Sequence, residues 1–239
     1  MTRAHPLVIA HRGASGERPE NTLSAYALAV AQRADMIEID LHCTRDGSIV
    51  VAHDEGLAGI GGRGEIADHS LAEVRELDAG DGQRVPTLDE VLDGFGRLIP
   101  FNLELKKGTT GPYPGLEAAS VEAASTRGLL GHTLFSSFDD PVLEALRGCG
   151  SDVRIGVLVS GRASHGWLER AHAVGAEAVH FWVGLADAER VAIAHAAGLA
   201  VHAYTVDDAE TMRRLLVLGV DGLFTNHPAR MREIVDRPG

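Results

Sequence analysis

From end to end the chain alternates short β-rich runs with stretches of helical apolar spacing, and this rhythm restricts the fold more than any other feature. Eight main runs read as strands: Leu7–His11, Met36–His42, Phe101–Leu105, Thr133–Ser136, Val153–Val157, Ala178–Phe181, Leu199–Tyr204 and Gly222–Thr225. Each is followed by a stretch that reads as helix. After the first, Leu23, Tyr26, Ala27, Val30 and Ala31 recur at helical intervals. Before the third, Thr87 and Glu90 form a capping box for a helix whose buried face is Leu88, Val91, Leu92 and Phe95. Pro141 and Pro228 stand where a first helical turn begins. Eight strand–helix units favour a closed α/β barrel, the TIM (β/α)8 fold, over an open doubly wound sheet, and 239 residues suit such a barrel.

The chain reads as one barrel over 1–239 with a small insertion after the second strand, at about 54–84. A short extra strand, Ile49–Ala52, leads into it. Gly59, Gly61, Gly62 and Gly64 mark a loop, and Ser70 with Glu73 caps one short helix. Thirty residues are too few for a separate domain.

Lys plus Arg against Asp plus Glu (22 − 34) leaves a net charge of −12. That balance argues against nucleic acid, which is bound largely by neutralising phosphates, and against docking on anionic membranes. Cys43 and Cys149 form no redox or metal motif and read as two reduced, buried thiols. The apolar run Leu7–Ala10 is too short for a signal peptide or a membrane span, so a cytoplasmic protein without a stable membrane anchor is expected. Homo-oligomerisation is left open.

Chemistry in such barrels sits at the C-terminal ends of the strands, and polar residues gather there. The first strand ends in His11-Arg12-Gly13, the second contains Glu38 and Asp40, and the extra strand leads to His53-Asp54. The third barrel strand contains Glu104 and runs on to Lys106. Residues two apart share a face, so Glu38 pairs with Asp40 in direction, and Glu104 with Lys106. Carboxylates from adjacent strands repel inside a barrel unless a cation joins them, which points to one divalent metal, Mg2+ or Ca2+. The competing reading has these acids facing outward or in ordinary ion pairs with Arg12 and Lys106. His11 and His53 suit general acid–base work on a phosphodiester, with Arg12 and Lys106 binding its oxygens. His202 and Tyr204 share a strand face, and Tyr204 is either a pocket-lining contact for the substrate or one of several rings that cap the barrel mouth.

The ordered set His11-Arg-Gly13, Arg18-Pro-Glu-Asn-Thr22, Glu38-Ile-Asp-Leu41, Asp46-Gly47, Val50-Val-Ala-His-Asp54, Pro86-Thr-Leu-Asp-Glu90 and Asn102-Leu-Glu-Leu-Lys106 resembles the glycerophosphodiester phosphodiesterase family. Echoes continue through Ser136-Ser-Phe138, Ala203-Tyr-Thr-Val206 and Gly219-Val-Asp-Gly222. The resemblance implies metal-dependent hydrolysis of a small-molecule glycerophosphodiester to sn-glycerol 3-phosphate and an alcohol. It implies His11 and His53 as acid and base, and Glu38, Asp40 and Glu104 as metal ligands. His53 is expected to take the first proton and His11 to protonate the departing alcohol. The alternatives are a lysophospholipase D or sphingomyelinase D-like diesterase on the same barrel, and a catalytically silent ligand-binding barrel. Three positions depart from the family: Leu57–Gly62 replaces an Arg-Thr-Thr-like stretch, Tyr204 stands where Trp is usual, and Asn226 where Asp is common.

Overall fold

A computed structural model describes residues 5–162 and 164–237. The strands are β1 (Leu7–His11), β2 (Met36–Cys43), β3 (Ile49–Val51), β4 (Phe101–Leu105), β5 (Lys107–Gly108), β6 (Gly111–Pro112), β7 (Thr133–Ser137), β8 (Arg154–Val159), β9 (Ala178–Trp182), β10 (Ala200–Tyr204) and β11 (Gly222–Thr225). Eight of them run parallel in the order β1-β11-β10-β9-β8-β7-β4-β2, and pairing of β1 with β2 closes the barrel. The expected strands are all present, with ends moved by at most two residues; Val153–Val157, for example, is Arg154–Val159.

Alternation along the strands divides two interiors. Val8, Ala10, Ile37, Ile39, Leu41, Phe135, Phe181 and Val201 face the helices and belong to the main apolar core. Inside the barrel a small cluster of Ile9, Met36 and Phe224 lies with buried polar groups: Glu38, Asp40, Asn102, Glu104, Ser136, His180 and His202. Strands of this kind are apolar on the outer face and polar within, so a chemical site is built into the fold rather than added to its surface.

The first helix, α1 (Leu23–Ala31), starts at Thr22, whose hydroxyl accepts from Ala25 N at 3.3 Å. Its buried face is Ala25, Tyr26 and Ala29, while Leu23 is exposed, so the apolar spacing identified the helix but not the side it buries. Small residues win because the chain after β1 passes close: a Cβ on Gly13 would lie 2.8 Å from the Ala25 carbonyl carbon.

The insertion holds two 3-10 turns, Leu57–Ile60 and Ile66–Asp68, and one helical turn, α2 (Leu71–Val74), with the capping box Ser70/Glu73. Val50, Leu57, Ile66, Val74 and Val85 give it an apolar cluster of its own. The capping box Thr87/Glu90 starts α3 (Leu88–Phe95). The hairpin β5–β6, too short to show any period, was not foreseen. Both cysteines are free; Cys43 is half-buried, but Cys149 closes a helix at the surface and is exposed, which corrects the expectation of two buried thiols. Among the described residues no helix is long and apolar enough to cross a membrane.

Candidate active site

At the C-terminal mouth of the barrel lies a cavity of about 380 Å3 lined by His11, Arg12, Glu38, His53, Glu104, Lys106 and Tyr204. Asp40, 1 % exposed, lies directly behind it. The sequence-derived candidates therefore come together in one place.

β2 and β4 are adjacent, with Asp40 opposite Glu104 and Glu38 one step below on the same face. One oxygen from each of Glu38, Asp40 and Glu104 falls within 4.8 Å of the others. Each carboxylate is aimed by a second partner. Glu38 Oε2 accepts from the Arg12 backbone N–H at 2.9 Å, which Arg12 can offer because it takes a left-handed conformation (φ 59°). Asp40 Oδ2 accepts from Asn21 Nδ2 at 2.8 Å; Asn21 is also left-handed (φ 55°), and its Oδ1 accepts from Tyr26 Oη at 3.1 Å. Lys106 Nζ sits 2.7 Å from Asp40 Oδ1 and also contacts Glu104 Oε1. Arg12 lies beside Asp40 (3.4 Å) and is held by both oxygens of Glu20 at 2.9 Å.

Ion pairs and convergence thus coexist. Three carboxylates meet two cations, leaving surplus negative charge, and the buried Glu38 Oε1 has no hydrogen-bond partner. Burial with Asp40 and Glu104 nearby raises the Glu38 carboxyl well above its usual range. Burial also works against ionisation of Asp40, yet Lys106 and Arg12 carry it below the usual range. Lys106 resists burial in the same way, its pKa raised by Asp40 and Glu104. An all-oxygen donor set with an orphaned oxygen is compatible with a hard divalent cation.

The two histidines differ. His11 Nδ1 lies 2.8 Å from Asn226 Oδ1. Asn226 Nδ2 and N both donate to the Asp207 carboxylate at 2.8 Å, which fixes the amide so that Oδ1 faces His11. An amide oxygen only accepts, so His11 carries its proton on Nδ1 and keeps a lone pair on Nε2. Burial, reinforced by Arg12, pushes the His11 pKa down to about 4. The His53 side chain is 38 % exposed and faces a carboxylate instead, with Nδ1 2.7 Å from Asp54 Oδ1.

Residues 11–230 match the Glycerophosphoryl diester phosphodiesterase family. The chain belongs to that family. It is 34% identical to the glycerophosphodiester phosphodiesterase of Bacillus subtilis (93% of this chain, 84% of the relative) and 34% identical to that of Caldanaerobacter subterraneus (98% and 99%). It is similar to the solved structure of an Oleispira antarctica phosphodiesterase in complex with the product sn-glycerol-3-phosphate, at TM-score 0.85, 34% identity and 97% of each chain. The family's name is that of a phosphoric diester hydrolase, the enzyme class expected from the sequence.

Some residues of this site have roles that no local sequence pattern announces. Asp207 was passed over, although Asp208 alone caps the next helix through Thr211 N, leaving its neighbour as a surplus acid at a strand end. Asn21 gave no signal of its role. Tyr204 lines the cavity as expected, but its hydroxyl donates to Val159 O at 3.0 Å, so the ring rather than the hydroxyl faces the cavity's contents. Phe138 and Trp182, both exposed, complete an apolar half with Leu158 and Phe224.

Proposed function

We propose that the protein is a metal-dependent glycerophosphodiester phosphodiesterase that releases sn-glycerol 3-phosphate and an alcohol. The observation that carries this reading is the convergence of Glu38, Asp40 and Glu104 at the wall of a cavity that His11 and His53 line. These three carboxylates would hold Mg2+ or Ca2+, which when bound neutralises phosphate charge and acidifies a nearby hydroxyl. Arg12 and Lys106 bind the phosphate oxygens, one as a planar fork and one as a point charge. His11 Nε2 takes the proton of the attacking hydroxyl: attack by water gives sn-glycerol 3-phosphate directly, whereas attack by the hydroxyl on the substrate's neighbouring carbon gives a cyclic glycerol phosphate that water then opens to the same product. His53, whose Nδ1 faces the Asp54 carboxylate, returns a proton to the departing alkoxide as its P–O bond breaks. This order reverses the one expected from the sequence, and the reason is the difference between an amide and a carboxylate partner.

The leaving alcohol then points toward a second cavity, of about 300 Å3, which His53 shares with the first. The insertion forms its wall through Leu57, Ile60 and Ile66; Glu20 and Asp54 are its charged residues, and no Lys or Arg lines it. Neutral or cationic alcohols suit that lining, and anionic ones do not. A second reading, a diesterase for lysophospholipids, rests on the exposed Phe138 and Trp182 at the mouth. Side-by-side turnover of glycerophosphocholine and lysophosphatidylcholine with added Mg2+ or Ca2+ tests both; no turnover of either would leave a silent binding barrel.

A further inference from the structure

β2 outruns the barrel. Its parallel pairing with β4 ends at Leu41, and its last residues pair antiparallel with β3, His42 opposite Val50. His42 shares the face of Glu38 and Asp40, one step higher, where it is 1 % exposed. Its two ring nitrogens are both used. Nε2 lies 3.1 Å from the His53 backbone O, and Nδ1 lies 2.7 Å from Tyr113 Oη. A carbonyl only accepts, so Nε2 carries the proton; Nδ1 of the neutral ring then accepts from the tyrosine hydroxyl. One tautomer satisfies both bonds. Tyr113, 7 % exposed, meets the imidazole edge-on at 5.6 Å. It follows the β5–β6 hairpin, where a Cβ on Gly108 would lie 3.4 Å from its ring.

The imidazole therefore joins three segments: β2 with Glu38 and Asp40, the stretch carrying His53, and the hairpin directly after Glu104 and Lys106. His53 itself lies outside any helix or strand. Among the described residues its carbonyl has no other side-chain partner, and the neighbouring backbone tie is Ala52 N to Asp40 O at 3.1 Å. We propose that His42, locked by Tyr113, is a positioning residue that sets where the His53 ring stands over the carboxylate cluster. The proposal rests on the reading of His53 as a proton donor in the reaction.

Steady-state kinetics on glycerophosphocholine with saturating Mg2+, alongside thermal melting of each variant, test it. Misplacing a catalytic group by about 1 Å can cost about 100-fold, so His42→Leu should lower kcat by roughly 10- to 100-fold with KM little changed. His42→Gln, whose amide can donate to the same carbonyl, should recover most of the loss. Tyr113→Phe leaves that donor in place but unlocks the ring, and should lose a few-fold in kcat. Because His42 acts through His53, adding His42→Leu to His53→Ala should cost nothing more. A folded His42→Leu with wild-type kcat, or an equal further loss in the His53→Ala background, would overturn the proposal. Should His42→Leu fail to fold, Tyr113→Phe at wild-type kcat would do the same. If His53→Ala alone turns over normally, the proton-donor reading of His53 fails, and the role of His42 fails with it.

Discussion

Asn226 Oδ1 stands 2.8 Å from His11 Nδ1, and two donors from Asn226 to Asp207 stop the amide from turning over. The consequence is a single tautomer. His11 keeps a lone pair on Nε2, whereas His53 Nδ1 meets the Asp54 carboxylate, and it is on this difference that the proposed division of acid and base between the two rings rests.

Asn226→Leu removes the acceptor and frees the His11 ring to adopt either tautomer. Its kcat should fall about 10- to 100-fold, below the full general-base loss of about 100- to 10,000-fold expected for His11→Ala. Asp207→Asn should act in the same direction, since an amide at 207 no longer dictates which way Asn226 faces. Stopped assays of kcat for the three variants check this; an unaltered Asn226→Leu would remove the relay from the account.

Asn21 holds Asp40 Oδ2, and Tyr26 holds Asn21. Partners that aim a metal ligand commonly contribute about 10- to 100-fold in affinity. Asn21→Ala should therefore weaken Mg2+ binding by that range in titration calorimetry, and Tyr26→Phe by less. Equal affinity in wild type and Asn21→Ala would show that Asp40 needs no such support.

The barrel was legible because its rhythm is carried by many residues at once; shifting any strand end by two leaves the alternation intact. The convergence of Glu38, Asp40 and Glu104 was legible for the same reason, since strand parity sets their common face. What could not be read depends on single side chains crossing the fold. Asn226 and His11 are 215 positions apart, and no local pattern announces that they touch. The face of α1 was misread because the close approach of Gly13, not hydrophobicity, selects Ala25. The hairpin β5–β6 and the 3-10 turns of the insertion are shorter than any period that would reveal them.

His180 and His202 lie inside the barrel, fully or nearly fully buried, and burial lowers both pKa values, that of His202 to about 4. In the unfolded chain each titrates near 6.5. As pH falls below about 6.5 the unfolded state binds more protons than the folded state, so stability declines toward pH 4 and is unaffected by these groups above about pH 7.5. Urea unfolding at pH 7.5, 6 and 5 should show that decline, with a shallower slope in His202→Asn. A midpoint independent of pH across this range would contradict the assignment.

The lining of the second cavity should be visible in substrate preference. Glycerophosphocholine and glycerophosphoethanolamine should have higher kcat/KM than glycerophosphoserine or a diester with a phosphorylated alcohol. Ile60→Lys, which places a positive charge on the cavity wall, should narrow that gap. A preference for the anionic substrates in the wild type would place the leaving group elsewhere.

The central claim is tested most directly by measuring sn-glycerol 3-phosphate released from glycerophosphocholine by chelated protein, before and after Mg2+ or Ca2+ is restored. The account predicts loss of activity on chelation, recovery with the metal, and neither metal binding nor turnover in Asp40→Ala that still melts cooperatively. Fully chelated protein releasing product at the undiminished rate would contradict it.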